Sequence, residues 1–166
     1  MKPRDTNGKS APAPQCSGMR FAIVAARFYR ELTDWLIDGA QRALADCGVS
    51  ADDIEVIEVP GCFELPLACR KLIDIDRYDA IVALGVVIRG ETPHFDFVAG
   101  ECARGIMDVQ LEAGLPIGFG VLTTENLAQA QERADPARGD KGYEAAMAAA
   151  ALINIPSKLP RAGFRS

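Results

Sequence analysis

Four apolar runs punctuate the chain, and between them the apolar positions recur with helical spacing. FAIVAA (21–26), IEVIEV (54–59), AIVALGVVI (80–88) and PIGFGVLT (116–123) predict β-strands, and the third is apolar throughout, as expected of a central parallel strand covered on both faces. Between and after them the pattern predicts helices over 31–46, 64–72, 92–112, 125–134 and 140–153. Gly48 ends the first and Gly114 the third. Regular alternation of strand and helix implies an α/β fold: a three-layer α/β/α sandwich on a four-stranded parallel sheet, with flavodoxin-like winding and right-handed crossovers. MAAAAL in the last helix supplies small side chains for close helix packing. The expected organisation is a polar leader over 1–19, one domain over 20–155, and a tail over 156–166.

Composition narrows the function classes. With 166 residues, 49% of them hydrophobic and 25% charged, the chain is long enough for one core. A net charge of −5 argues against a general nucleic-acid or anionic-membrane surface, while a local basic pocket for a small anion stays open. The leader has no apolar centre of the kind a signal sequence needs, and no apolar run reaches the ~20 residues of a membrane span. Cys16, Cys47, Cys62, Cys69 and Cys102 are scattered, with no C-x-x-C pair and one histidine in the chain. They read as small, half-buried thiols of a cytoplasmic protein rather than as a metal site.

In open parallel sheets, ligands bind past the carboxyl ends of the strands. The segments found there, ARFYRE, VPGCFELP, IRGETPHF and LTTENL, hold most of the residues suited to chemistry. In RGETPHF, Thr92 suits a helix N-cap and Pro93 the first helical position, which puts His94 in the first turn. Free N–H groups from Gly90 onward form an anion site at that helix start, and without a P-loop motif the anion is small, such as one phosphate. Pro60-Gly61 allows a tight turn after the second strand, and Glu64 follows as a polar group able to hold hydroxyls. Phe28 and Phe119 offer aromatic faces for a flat ring. Arg133 and Lys141 flank the link between the last two helices and suit a phosphate; Asp140 looks like the cap of the final helix. Each has a plainer alternative: a capping or packed histidine, a first-turn acid, core phenylalanines, solvated cations.

Taken together, ARF (26–28, counting from Ala26), VPGCFELP (59–66), GVVIRGETPHFDFVA (85–99), GFGVLTTEN (118–126), ERA (132–134) and GDKG (139–142) resemble the lumazine synthase family in content, order and spacing over about residues 20–155. The resemblance implies an enzyme that condenses 5-amino-6-(D-ribitylamino)uracil with 3,4-dihydroxy-2-butanone 4-phosphate, without cofactor or metal. The products are 6,7-dimethyl-8-ribityllumazine, phosphate and water, in the penultimate step of riboflavin biosynthesis. It further implies that His94 transfers protons and Phe28 stacks on the pyrimidine. Cys62, Phe63 and Glu64 hold the ribityl chain and ring, and Val86, Val87 and Ile88 contact the uracil. Glu91 and Thr92 lie in the turn that binds the butanone phosphate, with Arg133 and a nearby Lys141. Phe119 forms a second aromatic wall that, with Arg133, comes from the neighbouring subunit. Homopentamers are therefore expected, with a decamer or a 60-subunit shell left open.

Three departures from the family pattern stand out. Tyr29 replaces a common asparagine, Cys62 an alanine or serine, and Asp135-Pro136-Ala137-Arg138 a Gly-Thr type of bend. Two other functions fit parts of the pattern: a non-catalytic flavin-binding or shell-forming relative, and a phosphate-binding regulatory module.

Overall fold

A computed structural model describes residues 12–156. Four parallel strands, β1 (Phe21–Ala26), β2 (Ile54–Val59), β3 (Ala80–Ile88) and β4 (Ile117–Thr124), pair in the order β2-β1-β3-β4. Five helices cover the faces: α1 (Arg30–Asp46), α2 (Leu65–Asp74), α3 (His94–Ala113), α4 (Leu127–Ala134) and α5 (Lys141–Ile153). This is the expected three-layer α/β/α sandwich with flavodoxin-like winding.

The period-two alternation of the strands divides the core between the two layers. Phe21 and Ile23 of β1, with Val82 and Leu84 of β3, pack against Leu36 and Leu44 of α1 and the alanines of α5. Ala22, Val24, Ile81 and Ala83 point the other way, onto Leu65 and Cys69 of α2 and Cys102 and Ile106 of α3. Burying each such leucine or isoleucine contributes about 1.5–3 kcal/mol, set against the entropy of ordering the chain. The small residues of α5 behave as their sequence suggests: Ala145, Ala146, Ala149 and Ala150 are all buried. Gly142, one turn earlier, lies against the Leu36 backbone of α1.

Helix ends differ from expectation where side chains find other partners. The helix expected from Thr92 begins at His94. The Asp96 N–H donates to the Pro93 carbonyl at 2.9 Å, an i+3 bond, so the first turn is tight and regular helix starts later. The Thr92 hydroxyl still accepts from the His94 N–H, at 3.4 Å. Asp140 precedes α5 as expected but makes no side-chain cap; it adopts φ 45° and spends its carboxylate on Arg42 of α1, at 2.9 Å. The fourth helix starts at Leu127 rather than 125, because the Asn126 side chain accepts from the Gln129 N–H at 2.9 Å. The second begins at Leu65 after a 3-10 turn over Cys62–Glu64. Gly48 and Gly114 take positive φ at the ends of α1 and α3, as expected.

Of the polar leader, residues 12–19 fall within the described range, and they are not detached from the domain. Cys16 is fully buried, and its N–H donates to the Cys47 carbonyl at 2.8 Å. Along one edge of the sheet, the acids of β2 are tied to neighbouring cations: Glu58 to Arg27 at 3.2 Å and Glu55 to Arg77 at 3.4 Å.

Candidate active site

The carboxyl ends of β1, β2 and β3 surround a cleft of about 570 Å³. One wall is the connection after β1. There the Thr33 hydroxyl donates to the Ala26 carbonyl at 2.8 Å and lies 2.9 Å from that of Tyr29, which fixes the start of α1. Arg27, its side chain only 9% exposed, pairs with Asp34 at 2.7 Å and with Glu58. This frame presents Phe28 outward: the ring is 76% exposed, far from the usual fate of a core phenylalanine, and Tyr29 meets it edge-on at 5.1 Å.

The floor comes from β2 and β3. Gly85 of β3 has no Cβ, and one built there would lie 2.5 Å from the Cys62 sulfur; its absence lets the 62–64 turn settle on the sheet. The turn buries Cys62 and leaves Phe63 and Glu64 exposed at the cleft. Burial pushes the Cys62 thiol up to about 12, so it remains a neutral packing group rather than a reactive thiolate. Val86, Val87 and Ile88 line the cleft at the end of β3.

The remaining wall is the start of α3. His94, Phe97 and Val98, at i, i+3 and i+4, face the cleft together, with Gly90 and Thr92 before them. Glu91, between these two, is exposed and is not among the lining residues. Tyr29, singled out in the sequence as a departure from the family pattern, lines the cleft; sequence reasoning missed Phe95, Phe97 and Val98, although the last two share the helical face of His94 and were legible from that spacing.

Phe119, Arg133 and Lys141 are not in this cleft. They share a second hollow of about 370 Å³ along the opposite edge strand, β4, together with Glu144. Arg133 stands in the last turn of α4, and the bend that follows this helix is closed by its own bonds. Asp135 accepts from the Ala137 N–H at 2.8 Å and from Arg138 at 2.9 Å, while the Gly139 N–H donates to the Glu132 carbonyl. Thus the Asp-Pro-Ala-Arg departure forms a compact turn. Lys141 pairs with Glu144 at 2.5 Å, while the Arg133 guanidinium reaches only the Gln129 carbonyl, at 3.3 Å, among the described residues. No group of three or more His, Cys, Asp or Glu side chains suited to a metal occurs among the described residues.

A carboxyl-edge cleft with one imidazole, an outward aromatic face and a helix start, on a doubly wound parallel sheet, is the arrangement of an α/β enzyme that handles small molecules. The chain belongs to the 6,7-dimethyl-8-ribityllumazine synthase family, whose model matches residues 18–157. It is 50% identical over 143 residues to the 6,7-dimethyl-8-ribityllumazine synthase of Chlorobaculum tepidum, covering 86% of this chain and 92% of that protein. The enzyme of the same name from Nitratidesulfovibrio vulgaris is 46% identical over 142 residues, covering 86% and 91% respectively. The activity that goes with membership is the formation of 6,7-dimethyl-8-ribityllumazine, a condensation in riboflavin biosynthesis.

Proposed function

We propose that the cleft and the β4 hollow are complementary halves of one active site, completed between neighbouring copies of the chain. The observation that carries this reading is the split itself. One cavity holds His94, Phe28 and the 62–64 turn, and the other holds Phe119, Arg133 and Lys141. An isolated chain then has an imidazole and a stacking face without the phosphate-binding cations. The exposed apolar side chains of α3, Phe97 at 68% and Leu111 at 72%, support burial of this helix against another copy. A homopentamer is the expected unit, and further association to a decamer or shell is open to the bend at 135–139.

In this reading 5-amino-6-(D-ribitylamino)uracil lies against Phe28, with its ribityl chain along Cys62, Phe63 and Glu64 and its ring edge on the backbone of Val86–Ile88. The phosphate of 3,4-dihydroxy-2-butanone 4-phosphate meets the helix-start N–H groups near Glu91 and Thr92, with Arg133 and Lys141 supplied across the interface. The 5-amino nitrogen attacks the ketone carbon and the adduct loses water to give an imine. Loss of inorganic phosphate follows, and the 6-ribitylamino nitrogen then closes the ring with release of a second water. No cofactor or metal is required. His94, the one imidazole lining the cleft, carries protons between these steps. Most of the acceleration comes from holding two reactants together.

Buried, unbonded Cys16, Cys47, Cys62, Cys69 and Cys102 suit a reducing cytoplasm, and none of the helices among the described residues is long and apolar enough to cross a membrane. Residues 20–155 are taken as the catalytic domain, between a leader and a tail.

The test is complementation. A Phe28→Ala/His94→Ala chain and an Arg133→Ala chain are each assayed for the lumazine chromophore, then co-refolded and assayed together. In random mixed rings roughly a quarter of interfaces regain both intact faces, so activity returns well above either parent. No recovery, with wild type active and mixed assemblies formed, would refute the shared site. An inactive wild type would refute the catalytic reading.

A further inference from the structure

Arg89, the residue after β3, ties two loops at the carboxyl edge of the sheet. Its backbone N–H donates to the Thr124 carbonyl at 2.9 Å, extending the β3–β4 ladder by one bond. Its Nε donates to Glu125 Oε2 at 2.8 Å, and its Nη1 to Asp96 Oδ1 at 3.2 Å. The guanidinium carbon lies 4.2 Å from the centroid of the Phe95 ring. Thr124 and Glu125 lead from β4 into α4, whereas Phe95 and Asp96 belong to the first turn of α3. Between Arg89 and His94 stand Gly90, Glu91, Thr92 and Pro93, all exposed. Among the described residues, the bond from the His94 N–H to Thr92 is the only one involving a side chain of these four. The turn is therefore held mainly from its ends.

Single exposed ion pairs hold little. A planar fork is different when two of its donors reach separate carboxylates while its face covers a ring, because one residue then fixes three groups in relative orientation. We infer that Arg89 is a positioning residue: it sets the turn that offers N–H groups to the butanone phosphate and fixes the first turn from which His94 projects. This rests on the proposed phosphate role of the turn and deepens it. Arg89 acts through Phe95 and Asp96 and does not itself touch substrate.

The test measures kcat and both KM values for Arg89→Met, Arg89→Lys, Asp96→Asn and Glu125→Gln, alongside melting temperatures. For Arg89→Met we expect KM for the butanone phosphate to rise about tenfold and kcat to fall about tenfold, because misplacement by about 1 Å is costly in a proximity-driven reaction. KM for the ribitylaminouracil, held by other elements, should stay within about twofold. Asp96→Asn and Glu125→Gln should move the same parameters less, and lysine should recover little, since it keeps the charge but not the fork. Both KM values unchanged across the set, or full rescue by lysine, would overturn the inference. If Arg89→Met does not fold, the other three variants decide by the same split. Activity in the wild type without the split refutes only this inference; an inactive wild type refutes the reading beneath it.

Discussion

Replacing Gly142 by alanine tests whether the close approach of α5 to α1 governs both stability and the phosphate side of the site. A Cβ at 142 would stand 2.0 Å from the Leu36 carbonyl oxygen and 2.7 Å from its carbon. Carbon–oxygen contacts normally settle near ~3.3 Å, so the helices must separate by about 1 Å or more. Gly39 occupies the reciprocal place on α1, where a Cβ would meet the Tyr143 nitrogen at 2.8 Å. At Gly142 the neighbour is Leu36 backbone alone, so no rotamer change relieves the contact, whereas at Gly39 the Asp140 carboxylate also stands at 2.5 Å. Overpacking of this kind costs about 1–3 kcal/mol, and the lack of a yielding side chain puts this site near the upper figure. For a chain of this length each kcal/mol lowers Tm by about 2–4 °C, which gives a fall of roughly 6–12 °C. Because Lys141 is the adjoining residue, the same displacement should raise KM for the butanone phosphate. Circular dichroism melts at one fixed protein concentration measure the first effect, since association shifts apparent stability. A Tm within about 2 °C of wild type would show that the helices part far more readily than the contact geometry implies.

Further outcomes follow from the cleft. His94→Ala should lower kcat by about ten- to a hundredfold without abolishing turnover, because proton transfer is a smaller share than positioning; full turnover would remove the histidine from the mechanism. Phe28→Ala should leave Tm nearly unchanged, its ring being 76% exposed, while stacking worth about 1–3 kcal/mol is lost from pyrimidine binding. Steady-state KM for the ribitylaminouracil checks this. Burial pushes the Cys62, Cys69 and Cys102 thiols up to about 12. Folded-state values above the unfolded ones mean that this stabilisation is intact below about pH 9 and is lost as pH rises toward 12. Denaturant midpoints should therefore drop across that range, and a triple Cys→Ala variant should flatten the alkaline limb. Iodoacetamide at pH 8 should leave Cys62 unmodified in the native protein and label it after unfolding.

The fold was legible because its strands are apolar in blocks with clear boundaries, and periodicity reports burial directly. Helix starts were less legible. Asp140 is a good cap by residue type, yet Arg42, distant in sequence, claims its carboxylate, and no local rule encodes that competition. The same holds for Gly85 and Gly142, whose lack of a side chain matters only because Cys62 and Leu36 arrive from elsewhere. The residues of the cleft were found by position after strands and by resemblance to the family. Arg89 carries no local signal of its role, since its three side-chain partners assemble only when two loops meet.

The tethered acids of β2 bear on how such a sheet avoids fibrous self-assembly. A six-residue run of Ile and Val with free main-chain groups on one side would invite identical strands to add without limit. Glu55 and Glu58, spaced three apart so that one lies on each face, place negative charge beside any incoming copy, and their arginine partners hold them at the rim. Unregulated stacking is thereby discouraged, and any partner strand that does dock on this border must accommodate two carboxylates.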